Sequence, residues 1–181
     1  MKPALKIKTL VFFSLTGLVI ALDQLTKQLV ITSFRYGESL PIVPDFFSLT
    51  RVHNTGAAFS LLAQWDASLR IPFFIAVPVI AAVFIGFLFR KLDADDMKGA
   101  SILASVVGGA VGNLIDRITF GYVIDFLHFH WGVGGPSFPV FNVADCAICV
   151  GVFFLIIETY RKDQPPAPAG NDGAPHASGP V

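Results

Sequence analysis

Four stretches of the chain stay apolar long enough to cross a hydrocarbon core, which takes about 20 helical residues. They run over about 10–31, 71–89, 99–115 and 143–157. The first is apolar through Leu22 and more polar beyond it. The second tolerates Pro72 and Pro78, because neighbouring helices can satisfy the backbone groups that a proline frees. The third carries small residues every four positions, Ala100, Ala104, Gly108 and Gly112, beside a parallel row at Ser101, Ser105 and Gly109. Such rows let helix backbones approach closely in lipid, so this helix is the expected centre of a bundle. Between the first two stretches the pattern changes period. Phe47, Leu49 and Val52 interleave with Ser48, Thr50 and His53, as in short strands lying at a membrane surface over 41–62. The pattern predicts an integral membrane protein, mainly α, with a four-helix bundle and a small β-rich extracytoplasmic segment.

Composition agrees. Of 181 residues, 54% are hydrophobic, 18 are phenylalanine and only 14% are charged, against the ~25% usual for soluble domains. The excess apolar surface calls for membrane lipid as its solvent. Thirteen basic and thirteen acidic residues cancel, so no nucleic-acid partner is indicated. Basic residues set the orientation. Lys2, Lys6, Lys8, Arg90, Lys91, Lys98, Arg161 and Lys162 fall on one side, and Arg35, Arg51, Arg70 and Arg117 in the two longer connections. The positive-inside rule puts both termini in the cytoplasm and the 32–70 and 117–142 connections outside. Trp65 and Trp131 lie in those connections, where an aromatic belt belongs. The basic start and apolar run resemble a signal peptide, but no small-x-small site follows, and a retained anchor is expected. Residues 1–162 read as one four-span domain. The Pro/Gly-rich 163–181 tail cannot bury a core and is expected to be a disordered cytoplasmic tail.

Ionisable groups within membrane-spanning segments are costly and therefore functional candidates. Asp23 and Lys27 share a helix face, either as a self-neutralising ion pair or as a brace for a site in the outer half of the bundle. Asp116 and Arg117 end the third stretch and point in different directions. Arg117 either anchors the interface or hydrogen-bonds a carboxylate or backbone group. Asp125 sits in Val123-Ile124-Asp125-Phe126 after a turn at Gly121, and Asp145 where the fourth helix enters from the outer face. Two carboxylates brought together in a low-dielectric site cannot easily both ionise and would share a proton. One could then act as general base on water and the other as general acid. Proton transport also uses isolated membrane aspartates, so spacing alone leaves both readings open. His128 and His130 would share a strand face, which invites a metal, but no further ligand cluster accompanies them. Cys146 and Cys149 lack a second pair and a redox context, and read as small apolar side chains in a helix.

Five blocks occur together: Asp23-Gln24-Leu25-Thr26-Lys27, Asn54-Thr55-Gly56-Ala57-Ala58-Phe59, Gly109-Ala110-Val111-Gly112-Asn113-Leu114-Ile115-Asp116-Arg117, Val123-Ile124-Asp125-Phe126 and Phe141-Asn142-Val143-Ala144-Asp145. In this order, on a four-span chain, they resemble lipoprotein signal peptidase (signal peptidase II) over about 10–160. The resemblance implies an aspartic endopeptidase with Asp125 and Asp145 as its catalytic pair. It implies a supporting or substrate-contacting set of Asp23, Lys27, Asn54, Gly56, Gly109, Asn113, Asp116, Arg117, Asn142 and Ala144. The implied substrate is a bacterial prolipoprotein, cut at its lipobox just before a diacylglyceryl-modified cysteine. No metal or cofactor is implied, and globomycin is the expected inhibitor. The chain is expected to act as a monomer in the cytoplasmic (inner) membrane. The rival reading, an ion-coupled transporter or proton channel, predicts charges spread through the membrane depth and internal repeats. The sequence instead gathers its polar groups on one side, and its halves do not resemble each other. A purely structural subunit would leave the buried aspartates unexplained.

Overall fold

The computed structural model describes residues 3–56, 66–132 and 134–162. Helices α1 (Pro3–Ser33), α2 (Ala67–Lys91), α3 (Met97–Phe120) and α4 (Val143–Lys162) are each long and apolar enough to span a membrane. Strands β1 (Ser39–Val43), β2 (Phe47–Asn54) and β3 (Val123–Phe129) form an antiparallel sheet in the order β1-β2-β3. The strands expected from position 41 correspond to the end of β1, which starts earlier at Ser39, and to β2. The portion of that segment over 57–62, Trp65 and the 163–181 tail lie outside the described residues.

Every helix runs past its hydropathy reading, with α2 starting at Ala67 and α4 ending at Lys162, and two of the extensions bear on the packing. α1 begins at Pro3 rather than near position 10, since proline suits a first helical turn, where its missing N–H would be unpaired anyway. The extension is also tied down. Lys8, assigned above to a basic tail, is only 2% exposed and donates to Phe89 O (3.3 Å) and Leu92 O (2.9 Å), carbonyls at the end of α2. α3 continues past 115 to Phe120, where Gly121 takes a left-handed φ of 78°. Only glycine adopts that conformation without strain, and it turns the chain from α3 into β3.

α3 is the hub. It packs against α1, α2 and α4, and half of its most apolar 18-residue stretch is buried, against 11% for each of the others. Those other helices turn Leu10, Leu18, Leu25, Ile80, Phe84, Phe153 and Ile156 outward, as helices in lipid do. The small-residue rows explain the close approach. A Cβ on Gly109 would stand 2.3 Å from Ala144 O on α4, and one on Gly112 would stand 2.6 Å from Asp23 Oδ2 on α1. Neither fits, so these glycines set the distances of α4 and α1 from the hub.

The sheet is fastened to the bundle. Arg51 Nη1 donates to Ile31 O (3.1 Å) and Phe34 O (2.8 Å), covering carbonyls freed at the end of α1. Val30 packs with Ile124 and Phe126 beneath β3. Pairing shifts from Leu49↔Leu127 to Val52↔Asp125, which inserts one extra residue in β2. This bulge lies beside Asp125, in keeping with the habit of bulges to re-aim side chains at functional sites.

Gly109→Ala should therefore lose about 1–3 kcal/mol through overpacking. Thermal unfolding in detergent measures it, and an unchanged midpoint would show that the α3–α4 distance does not depend on this glycine.

Candidate active site

Asp125 and Asp145 arrive from different elements and meet through amides. Asp125 is on β3 and 1% exposed. Its Oδ1 accepts from Asn142 Nδ2 at 2.6 Å and its Oδ2 from Asn54 Nδ2 at 2.9 Å. Asp145 is in the first turn of α4. Its Oδ1 accepts from Asn113 Nδ2 at 2.8 Å and its Oδ2 from the Asn142 backbone N–H at 3.1 Å. Each carboxylate is thus held at both oxygens, and Asn142 holds both carboxylates.

The local sequence explains Asn142. Asn142 Oδ1 accepts from Asp145 N at 3.0 Å while Asp145 Oδ2 accepts from Asn142 N. This is a reciprocal capping box, which satisfies donors that a helix start leaves unpaired. Because its oxygen caps the helix, the Asn142 NH₂ must face the other way, toward Asp125.

The same logic orients the other two amides. Lys27 Nζ donates to Asn113 Oδ1 at 2.9 Å. An ammonium has donors only, so the Asn113 oxygen must face Lys27 and its NH₂ must face Asp145. Gly56 N donates to Asn54 Oδ1 at 3.0 Å, which turns the Asn54 NH₂ to Asp125.

Below this layer lies a buried charge cluster. Lys27 bonds Asp23 Oδ2 at 2.8 Å and Asp116 Oδ2 at 2.9 Å. The Asp23–Lys27 pair is thus an internal ion pair, and Lys27 also reaches Asn113, which in turn holds Asp145. Asp23 Oδ1 accepts from Ala144 N on α4, and Asp116 Oδ2 from Ile124 N on β3, each at 3.0 Å. Asp116 and Arg117 diverge as expected, since Arg117 instead reaches Asn113 O (3.4 Å) and Gly56 O (3.5 Å), with its guanidinium 5.2 Å from the centre of the Phe74 ring.

Gln24 was not singled out from the sequence. Its amide donates to Asp116 Oδ1 (3.0 Å), Gly112 O (3.1 Å) and Asp23 Oδ2 (3.2 Å), closing the cluster between α1 and α3. Its place inside the Asp23–Lys27 block was the available signal.

His128 and His130 do share a face, with ring centres 5.2 Å apart. Thr50 Oγ1 meets His128 Nδ1 at 3.4 Å and Ser48 Oγ meets His130 Nε2 at 3.0 Å. Among the described residues, no three His, Cys, Asp or Glu side chains gather as metal ligands. Cys146 and Cys149 are free thiols on α4.

Burial pushes Asp125 up to about 7, and the nearby Asp145 carboxylate adds to the rise. The Asn54 and Asn142 amides and Lys27 oppose it. An acid poised near neutrality can give up a proton during a reaction.

The family model described as signal peptidase (SPase) II matches residues 15–161. The chain belongs to the signal peptidase II family. A lipoprotein signal peptidase of Syntrophotalea carbinolica is 47% identical over 144 residues, covering 80% of this chain and 87% of that one. The lipoprotein signal peptidase of Geobacter metallireducens is 44% identical over 164 residues, 91% and 96% of the two chains. A solved bacterial membrane enzyme superposes with a TM-score of 0.75 at 28% identity, covering 87% of this chain and 92% of that one. This signal peptidase II is therefore a multi-pass aspartic peptidase of the bacterial inner membrane that processes prolipoproteins.

Two measurements check the electrostatics of the peptidase. The carboxyl C=O band of Asp125 should titrate near pH 7 in infrared difference spectra and vanish in Asp125→Asn. In Asp145→Asn it should titrate lower, because a like charge is gone, yet above the ordinary value of 3.8, because burial persists. The folded value exceeds the ordinary one, so this group's contribution to stability is full at low pH and fades as pH rises through about 7. A band titrating near 4 in the unmodified protein would contradict this. Separately, Lys27→Met leaves Asp23 and Asp116 buried without their cation, and should cost about 3–5 kcal/mol in denaturation experiments. A loss below about 1 kcal/mol, the scale of a surface pair, would mean the cluster is not held by this charge.

Proposed function

We propose that Asp125 and Asp145 are the catalytic dyad, cutting diacylglyceryl-modified prolipoproteins just before the lipid-bearing cysteine. The observation that carries this reading is the grip on both oxygens of both carboxylates, joined through Asn142. Below about pH 7 the proton resides on Asp125. A water between the carboxylates gives a proton to Asp145 as its oxygen adds to the scissile carbonyl carbon, while Asp125 gives its proton to the carbonyl oxygen. Collapse of the resulting diol breaks the C–N bond, and the leaving amine takes up the proton from Asp145. Returning a diol proton to Asp125 restores the starting state.

The supporting residues divide by contact. Asn113 and Asn142 aim the carboxylates, and Asp23, Lys27 and Asp116 hold those amides and β3 in place. Gly109 admits α4 and its Ala144. Asn54, Gly56 and Arg117 line the side from which an extended substrate would enter, where main-chain pairing gives grip and alternate side chains give selectivity. Both termini lie in the cytoplasm and the site faces outward. Support comes from the ends of the helices: Lys8 meets the end of α2, and Lys98 pairs with Glu158 across α3 and α4, so the basic-rich ends gather together. A lipid-bearing cysteine stays at the bilayer surface, which suits a site at the opposite boundary. The peptidase is proposed to act as a monomer.

Cleavage of a diacylglyceryl prolipoprotein in detergent tests the dyad. Asp125→Asn and Asp145→Asn should each lower kcat by about 10²–10⁴, the scale of lost acid–base catalysis, with unfolding midpoints retained and EDTA without effect. Near-normal turnover by either folded variant, or inactivation by chelator, would refute the assignment.

A further inference from the structure

Near Asp125 and Asp145, two arginines line one small cavity. Arg70 in the first turn of α2 and Arg117 in the last turn of α3 line it, with Thr55, Ile71, Phe74 and Gly121. The cavity measures about 10 Å³, enough for about one water-sized guest. Its polar lining offers mainly donors: guanidinium groups cannot accept, and Thr55 adds a hydroxyl. Arg117 lies in the field of Asp145, Asp125 and Asp116, and Arg70 in that of Asp66, so the hollow selects its guest by N–H donors rather than by net charge, and an oxygen acceptor is the guest that suits donors. A hollow of this size admits a single oxygen but not a phosphate group. Arg117 is already aimed, by Phe74 against its face and by long contacts to Asn113 O and Gly56 O. Contacts of 3.4–3.5 Å are weak, so its N–H groups can shorten onto a better acceptor.

We propose that Arg70, acting with Arg117, binds a main-chain carbonyl oxygen of the prolipoprotein close to the scissile bond. The identity of that guest rests on the function proposed above. The carbonyl lodges between the two arginines while the scissile bond lies at the dyad, so Arg70 is a substrate-binding residue rather than a catalytic one. It grips ground state and transition state alike, which raises affinity without altering the chemical step.

The test compares Arg70→Ala and Arg70→Lys with the unmodified enzyme on a diacylglyceryl prolipoprotein, alongside direct substrate binding to the Asp125→Asn form with and without Arg70→Ala. The expected result is a KM raised about ten- to hundredfold, the scale of a lost hydrogen bond to a charged group, with kcat within about twofold. Binding to the Asp125→Asn form should weaken by the same factor. Arg70→Lys should fall between, because an ammonium keeps the charge and loses the fork. It also carries the test if the alanine form does not fold. Unchanged KM and binding would overturn the proposal, as would a fall in kcat at unchanged KM. A KM that depends on anionic lipid in mixed micelles, and loses that dependence in Arg70→Ala, would assign the cavity to a lipid phosphate and also overturn it. Full turnover by Asp125→Asn would remove the dyad instead, and leave the binding comparison standing.

Discussion

The site depends on one buried cation. Lys27 is 2% exposed and spends its three protons on Asp23, Asp116 and Asn113. Removing ions from water costs several kcal/mol each, and a buried pair breaks even only when its geometry is good and its remaining lone pairs are filled. Here they are filled. The other oxygens of Asp23 and Asp116 accept from Ala144 N on α4 and from Gln24, and Asp116 Oδ2 also takes Ile124 N on β3. One charge cluster on α1 and α3 therefore fixes the starts of both elements that carry the aspartates. It also fixes the sense of Asn113, since an ammonium tolerates only the amide oxygen, and that sense delivers an N–H to Asp145. The orientation of Asp145 thus follows in part from the sign of a charge one layer below it.

The bilayer explains why such a network is assembled around α3. Lipid gives helices no hydrophobic reason to associate, so contact relies on packing and polar bonds. Gly109 and Gly112 bring the α4 and α1 backbones close enough for short side chains to span the gaps. Asparagine and aspartate have short reach; with alanine at those glycines, Ala144 and Asp23 would be pushed away from α3 and the bonds between layers would lengthen. Small residues and polar residues are thus parts of one device, the first setting the distance and the second using it.

Much of this was legible in the sequence, for definable reasons. Apolar length revealed the four spans, and the four-residue spacing of small residues revealed α3 as the hub, because both are local properties. Asp23, Lys27, Asp116, Asp125 and Asp145 stood out because charge is expensive in lipid. The roles of neutral side chains were hidden. Asn142 entered only through the family resemblance, and nothing local says that its amide caps α4 and also reaches β3. Gln24 is neutral and unremarkable on a helix until α3 lies beside it. Lys8 looked like one more cytoplasmic charge, because burial by a helix eighty residues away leaves no local trace. The bulge opposite Asp125 depends on strand register, which is decided by the whole sheet. The sequence showed which residues were costly to bury, and tertiary contact decided what each one held.

The placement of Asp125 on a strand, with Asp145 on a helix, has its own logic. Asp23, Asp116, Asp125 and Asp145 outnumber the cations Lys27 and Arg117 near them. Full ionisation would leave a net negative charge where water is scarce, which opposes ionisation of a buried carboxyl. Lys27 is already committed to the lower layer, and its pull on Asp125 is the weakest of the opposing influences. Asp125 is also 1% exposed, whereas Asp145 is only half-buried at the mouth of α4. Burial therefore lets Asp125 hold its proton up to about pH 7, the state that the acid role proposed for it requires. A symmetric pair, both on helices at one depth, would have no such bias. The proposed division into an acid and a base rests on this difference in burial between a strand tucked under the bundle and an open helix start.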